Sequence, residues 1–253
     1  VSRIVFITGT DTGVGKTLMT GLLLAHLRVS GMHALAVKPF ACGSHGDGEI
    51  LSEIQGGELP RKLVNPVYYR KPVAPLAAAR ACGKGIVLEQ VMGCIEEAAR
   101  RCDCLLVEGC GGLLVPLGEG YSLLEMIRWS GDRSELLVVA GDKLGVINHV
   151  LLTLRVLAQE KIHCGGVILT RHCESDPSNG SNGEILSELV APVRLTSVEY
   201  LGREMSEVGK IRDGAKKIQK TLARICESVN LIPLHAIRQR AKSAVRKKVW
   251  KNC

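Results

Sequence analysis

Aromatic side chains are scarce in this chain: two Phe, two Trp and four Tyr among 253 residues, 3% of the total. Val, Ile, Leu, Ala and Gly dominate instead, which suits a buried parallel sheet covered by helices better than an all-β sandwich. No apolar run approaches the roughly 18 residues that cross a bilayer. The opening VSRIVFITG has neither the apolar core nor the cleavage site of a secretory leader, so a cytoplasmic location and no membrane partner are expected. Ten cysteines are present, yet no C-x-x-C pair of zinc type occurs. Cys102 and Cys104, two apart in RRCDCLLVEG, are poorly placed for a disulfide, and reduced thiols are expected. The seven histidines are scattered, and nothing resembles a Ser-His-Asp or Cys-His arrangement.

Acidic residues are missing from HAIRQRAKSAVRKKVWKNC, the last stretch of the chain. The formal net charge is +8, while residues 202–253 alone contribute about +10, leaving the rest close to neutral. No nucleic-acid-binding motif accompanies this basic end, so no nucleic-acid partner is expected. The division expected is one α/β domain over residues 1–230 followed by a basic extension, 231–253.

Apolar runs alternate with helical periodicity. Strands are expected at 4–8, 34–39, 104–108, 136–140 and 166–170. Helices are expected at 17–29, 49–55, 88–100, 147–159, 183–189 and 208–229, with a polar loop over 171–183. Such alternation implies right-handed crossovers and a mostly parallel sheet flanked by helices on both faces. In such a sheet, ligands bind at the carboxyl ends of the strands.

The first strand runs into ITGTDTGVGKT. Gly13 and Gly15 let the backbone curl so that several N–H groups face one anion, and the following helix turns its positive end toward it. Lys16 adds a full charge, and Thr17 offers a hydroxyl to Mg²⁺. The loop therefore reads as a phosphate cradle of P-loop NTPase type. Five residues separate Gly9 from Gly15, one more than the common pattern. Lys38 follows the second strand, where it points into the ligand crevice. Glu108 ends the third strand after four apolar residues and, if buried, needs a cation or a lysine. Gly109, Gly111 and Gly112 allow close backbone approach. Asp47 starts a helix, where it is either an N-cap or a metal ligand, and Glu49 is the alternative ligand in the same stretch. Thr17, Asp47 and Glu108 around one hard cation, with Lys16 and Lys38 around phosphate oxygens, suit phosphoryl transfer.

Taken together, these stretches resemble dethiobiotin synthetase. The family's G-T-D-T-x-V-G-K-T is matched from Gly9 to Thr17, its K-P-x-A-x-G at Lys38–Gly43, and its N-P-x-x-[YF] at Asn65–Tyr69 with P-x-x-P at Pro72–Pro75. V-E-G-x-G-G is matched at Val107–Gly112 and K-L-G-x-I-N-H at Lys143–His149. The resemblance covers roughly residues 1–170. It implies an ATP- and Mg²⁺-dependent ring closure of 7,8-diaminopelargonate with CO₂ or bicarbonate, through a carbamate and a carbamic–phosphoric anhydride. It also implies a homodimer. Lys16 and Lys38 would be catalytic. Thr12, Gly13, Val14, Gly15, Lys16, Thr17 and Thr170 would bind nucleotide, while Thr17, Asp47 and Glu108 would hold Mg²⁺. Thr10, Lys38, Cys42, Gly109, Gly111, Gly145 and Asn148 would meet substrate, the helix start at Gly145 receiving its carboxylate across the dimer.

Departures from the family include Cys42 where serine is frequent, Cys110 where alanine is usual, and Thr170 where asparagine reads the adenine edge. A partitioning or septum-site ATPase switch is an alternative within the same branch, although Asp11 stands where those proteins carry a signature lysine. A homologue that binds nucleotide without turnover is another.

Overall fold

A computed structural model describes residues 2–171, 176–202 and 204–231. Apart from Leu231, the basic extension lies outside the described residues. The chain begins β1 (Arg3–Gly9), α1 (Lys16–Val29), β2 (Ala34–Val37), a short β3 (Phe40–Cys42), α2 (Gly46–Ile54), α3 (Arg61–Val64), β4 (Val67–Tyr69), α4 (Pro75–Cys82) and α5 (Leu88–Ala99). It continues with β5 (Cys104–Gly112), α6 (Leu123–Ser130), β6 (Ser134–Gly141), α7 (Val146–Gln159), β7 (Gly166–Thr170), α8 (Ser181–Leu189), β8 (Leu195–Val198), α9 (Val208–Lys217) and α10 (Gln219–Ser228).

Six strands form one sheet in the order β2-β5-β1-β6-β7-β8, with every pair parallel. The pair β3-β4 is a separate parallel ribbon. Each long strand is apolar on both faces because both faces are covered. Val5 and Ile7 of β1, Leu106 of β5 and Val139 of β6 pack with Leu22 and Leu24 of α1 and Leu222 of α10. Their strand neighbours Ile4, Phe6, Val107 and Val138 pack with Met92 of α5, Met126 of α6 and Val150 of α7. Each fully buried Leu, Ile or Phe in these layers contributes about 1.5–3 kcal/mol relative to exposure.

This alternation positions the chemistry. Successive strand residues face opposite ways, so Glu108 shares the face of Cys104 and Leu106, on the side of α1. Beyond it β5 bulges: Ile7 pairs with Glu108, but Gly9 pairs with Gly112. The extra residues carry 109–111 out over the carboxyl ends of the strands.

The parallel sheet agrees with the sequence reading, and the expected strand 166–170 is β7 as drawn. Six elements were not anticipated, one of them the four-residue helix α3. The strands β3, β4 and β8 are only three or four residues long, too short to show periodicity, and α4 and α6 are eight-residue helices. The expected helix 208–229 is two helices, broken at Ile218. The segment 171–183 is not loop throughout, since α8 starts at Ser181. Helix α2 starts three residues earlier than expected, at Gly46, so Asp47 is not an N-cap; His45 holds that position.

Candidate active site

The carboxyl ends of β1, β2 and β5 surround the start of α1 and enclose a cavity of about 590 Å³. Lys16, Thr17, Lys38, Cys42, Asp47 and Glu108 all line it.

The loop between β1 and α1 follows from its glycines. Gly13 (φ 74°) and Gly15 (φ 89°) occupy the left-handed region, where a side chain would strain the backbone. Gly15 caps α1 with no side-chain bond, so the N–H groups of the first helical turn are left for a ligand. Gly9 is small for a different reason. The Lys16 Nζ donates back to the carbonyl oxygen of Asp11 at 2.8 Å, and a Cβ on Gly9 would stand 2.7 Å from that Nζ. Burial lowers the pKa of Lys16, and the nearby Lys38 ammonium pushes the same way.

Glu108 is the hub. It is 0% exposed. Its Oε1 accepts from the Thr17 hydroxyl at 2.6 Å and from the Lys38 Nζ at 2.6 Å. Lys38 also reaches Asp47 Oδ2 at 2.7 Å. Burial alone would lower the Lys38 pKa, but the charges of Glu108 and Asp47 outweigh it and hold the ammonium above its usual range. In this arrangement Lys38 is an ammonium at neutral pH and presents a charge to the cavity. The second oxygen, Glu108 Oε2, is buried without a hydrogen-bond partner. An orphaned carboxylate oxygen is costly, and here it stands beside a hydroxyl and near a half-exposed carboxylate. Among the described residues no three His, Cys, Asp or Glu side chains form a metal cluster. A small hard cation that keeps waters and takes a hydroxyl, one or two carboxylates and phosphate oxygens nevertheless fits this donor set. Glu49, the alternative acid, faces away and pairs with Arg61 at 2.9 Å.

The remaining expected residues are distributed more widely. Thr12, Gly13, Gly15 and Gly111 line the same cavity. Val14 is buried, and its carbonyl lies 2.7 Å from the Thr170 hydroxyl, which is also 3.1 Å from the Ala140 carbonyl. The single Thr170 proton is thus engaged with the main chain behind the loop. Gly109 is not among the cavity-lining residues. A Cβ there would meet Leu123 at 2.7 Å, so packing of α6 accounts for that glycine. Thr10 lines a neighbouring cavity with Leu114, Leu152 and Thr153. Gly145 and Asn148, at the start of α7, are exposed and outside both cavities.

Two features had not been assigned from the sequence. The Asn65 Nδ2 donates to the Lys38 carbonyl at 2.8 Å and to the Val67 carbonyl at 3.1 Å, fixing the chain that carries Lys38. The N-P-x-x-Y stretch was visible, but without a contact to give it a role. Cys42 and Cys110 both line the cavity; interaction with the Cys42 thiol lowers the pKa of Cys110 against its burial, with Lys38 and Lys16 assisting, and the same interaction, with burial, raises that of Cys42.

A parallel sheet whose central strand ends in a glycine-rich turn, a lysine and a hydroxyl at a helix start defines a P-loop nucleoside-triphosphate-binding protein. The solved structures it resembles agree on the fold. The septum site-determining protein MinD of Pyrococcus horikoshii, complexed with Mg-ADP, superposes with a TM-score of 0.54 at 17% identity, covering 90% of this chain and 95% of that one. A Cyanothece McdA–ATP complex gives 0.55 at 14%, covering 92% and 98%. A family model described as an AAA domain matches residues 3–206.

Sequence relatives are more specific. An ATP-dependent dethiobiotin synthetase of Anaeromyxobacter dehalogenans is 37% identical over 74% of this chain and 85% of its own length. Another from an Anaeromyxobacter species (strain Fw109-5) is 34% identical over 87% and 97%, and that of Bacillus subtilis 32% over 73% and 81%. The chain belongs to the ATP-dependent dethiobiotin synthetase family.

Proposed function

We propose that this chain closes 7,8-diaminopelargonate into dethiobiotin with ATP, Mg²⁺ and CO₂. One amine takes up CO₂ as a carbamate. A carbamate oxygen then attacks the γ-phosphorus of ATP, releasing ADP, and the second amine displaces phosphate from the resulting anhydride. The observation that carries this reading is the Lys38–Glu108–Thr17 hub of charge-stabilising groups set against the phosphate loop. Phosphoryl transfer of this kind needs positioned substrates and neutralised charge.

The roles follow from geometry. The main chain from Gly13 to Thr17 offers donors to phosphate oxygens. Lys16 exchanges its bond to the Asp11 carbonyl for the phosphoryl group in transfer. Lys38, held charged, stabilises the carbamate as it becomes an anhydride, and Asn65 keeps the Lys38 backbone in place. Thr17, Asp47 and Glu108 are the residues that would hold Mg²⁺, which when bound neutralises phosphate charge. Thr170 braces the loop through Val14.

The protein acts as a homodimer in this reading. Leu114, Leu144 and Leu152 are 56%, 80% and 58% exposed, and two of them line the cavity that Thr10 shares. Large apolar side chains left in water around a ligand-sized cavity are what a second copy covers. The start of α7, exposed at Gly145 and Asn148, then reaches the neighbouring site with its positive dipole end toward a carboxylate. The test is incubation of the protein with diaminopelargonate, bicarbonate, Mg²⁺ and ATP, with product read by mass. Dethiobiotin and ADP in equal amounts support the proposal; ATP consumption without dethiobiotin rejects it.

A further inference from the structure

Residues 59–88 contain Arg61, Lys62, Arg70, Lys71, Arg80 and Lys84 and no acid. Arg61 and Arg80 find carboxylates elsewhere, in Glu49 and Glu119. Arg70, Lys71 and Lys84 find none among the described residues. The fold nevertheless gathers these three around one cavity of about 610 Å³, as large as the active one, where β4, α4 and the start of α5 meet. No Asp or Glu lines it. Its wall includes Tyr68 and Tyr69. The Tyr68 ring is stacked on that of His45 with centroids 3.4 Å apart, and the Tyr69 hydroxyl donates to the Lys84 carbonyl at 2.9 Å, tying β4 to the turn that carries Lys84. Helix α5 begins beside the cavity, and Gln90 of its first turn lines it. Val87 at the N-cap gives that helix no side-chain cap, so its free N–H groups add partial positive charge. Glu89, in the same turn, lines no part of the cavity.

Like charges gathered around one cavity repel, and a bound anion relieves the repulsion. From three unpaired cations around an acid-free cavity we infer that the protein has a second anion site, one that takes a small ligand bearing two linked phosphate groups. A single phosphate ester carries a charge of about −1.5 to −2 near neutral pH, too little to match three cations. Two linked phosphates match them. Arg70 supplies a planar fork that can hold two phosphate oxygens at once, and Lys71 and Lys84 supply point charges on flexible stems. The volume falls within the range of about 300–1,000 Å³ that small ligands occupy. Tyr68, held in place by His45, gives the organic part of such a ligand an apolar wall. This site is separate from the phosphate loop, because the two cavities share no lining residue. They are consecutive along the chain, however: Arg70 and Lys71 line one, and Pro72–Pro75 line the other. The inference stands on the placement of charge and does not depend on which substrate the active cavity holds.

The experiment labels the full chain with pyridoxal phosphate, a phosphate-bearing aldehyde that forms an imine with a lysine beside an anion site and is fixed there by borohydride. The hydrolysis-resistant analogue AMP-PNP with Mg²⁺ is present throughout to cover the phosphate loop. Cleavage after glutamate gives the peptide 59–89, which holds Lys62, Lys71 and Lys84, whereas Lys16 and Lys38 lie in 1–49. Lys62 does not line the cavity and serves as the internal reference. The expected result is labelling of Lys71 and Lys84 well ahead of Lys62, suppressed by inorganic pyrophosphate. In Arg70→Gln, about tenfold more pyrophosphate should be needed for the same protection. Stronger protection by UDP than by pyrophosphate supports the inference with a nucleotide as occupant; equal protection supports it with the diphosphate group alone as the recognised part. Equal labelling of all three lysines, or labelling that pyrophosphate does not reduce, overturns the inference. So does equal protection by malonate, which carries no phosphate, or loss of the labelling when AMP-PNP is added. Because the map needs no turnover, its failure is distinguishable from failure of the ring-closure proposal.

Discussion

Replacing Lys38 by methionine isolates the electrostatics of the hub. In the wild-type protein the ammonium stands 2.6 Å from Glu108 Oε1 and 2.7 Å from Asp47 Oδ2. The two carboxylates differ in their alternatives. The Asp47 side chain is 45% exposed and can return to water, whereas the Glu108 side chain is 0% exposed and cannot. Methionine matches most of the lysine stem, so packing changes little and the cost falls on an unpaired buried charge. Such a loss destabilises by about 3–5 kcal/mol. Lys38→Met should therefore lower unfolding free energy by about that amount in urea titrations at neutral pH. The double variant Lys38→Met/Glu108→Gln, which removes both charges and keeps an acceptor for Thr17, should recover most of the loss. Turnover separates the two effects. At saturating nucleotide both proteins should be slower by about 10²–10³-fold, the cost of removing one preorganised charge-stabilising group. A Lys38→Met protein as stable as wild type, or a double variant no more stable than the single one, would refute the reasoning.

Three further outcomes follow from particular contacts. Gly9→Ala puts a Cβ 2.7 Å from the Lys16 Nζ and 2.8 Å from the Asp11 carbonyl; nucleotide affinity by calorimetry should fall about tenfold or more, equivalent to about 1.4 kcal/mol. Ser122 caps α6 by accepting from the Leu124 N–H, and Glu125 returns a bond to the Ser122 N–H at 2.7 Å. Ser122→Ala should cost about 1 kcal/mol in chemical denaturation. Burial opposes ionisation of Glu125, but the Ser122 donors outweigh it and hold its pKa below the ordinary value. The depressed pKa adds stability that is present above the unfolded-state value and lost as pH falls through the folded-state one. Acid should thus weaken the cap in wild type, with less effect in Ser122→Ala. Leu152→Asp, at an exposed position, should leave the monomer folded by circular dichroism and shift a dimer to half its mass in light scattering. An unchanged mass would argue against that face.

Much of this site was legible in the sequence because it is written in local chemistry. Gly13, Gly15, Lys16 and Thr17 fall within five residues, and the positive φ of the two glycines follows from the turn they must make. Glu108 stood out as a carboxylate after an apolar strand, and strand parity then fixed its face. Lys38 and Asp47 were individually visible, but their shared contact depends on how β2 and α2 meet, which periodicity does not encode. The start of α2 at Gly46 removes Asp47 from the N-cap, and contacts distinguish it from Glu49: Asp47 meets Lys38 at 2.7 Å, while Glu49 pairs with Arg61. The bulge in β5 was hidden for the same reason. Glycines at 109, 111 and 112 read alike, yet one packs under Leu123 and another lines the cavity. The missed strands β3 and β8 are held by neighbours more than by their own pattern, and Thr170 drew attention as a base reader while its hydroxyl faces the main chain.

The central claim is that phosphate leaves the carbonyl carbon carrying with it the carbamate oxygen that was phosphorylated. The direct measurement uses CO₂ labelled with ¹⁸O on both oxygens, supplied before exchange with water, and follows the label into products by mass. The account requires one labelled oxygen in the released phosphate and the other in the ring carbonyl of dethiobiotin. Unlabelled phosphate formed alongside labelled dethiobiotin would contradict it.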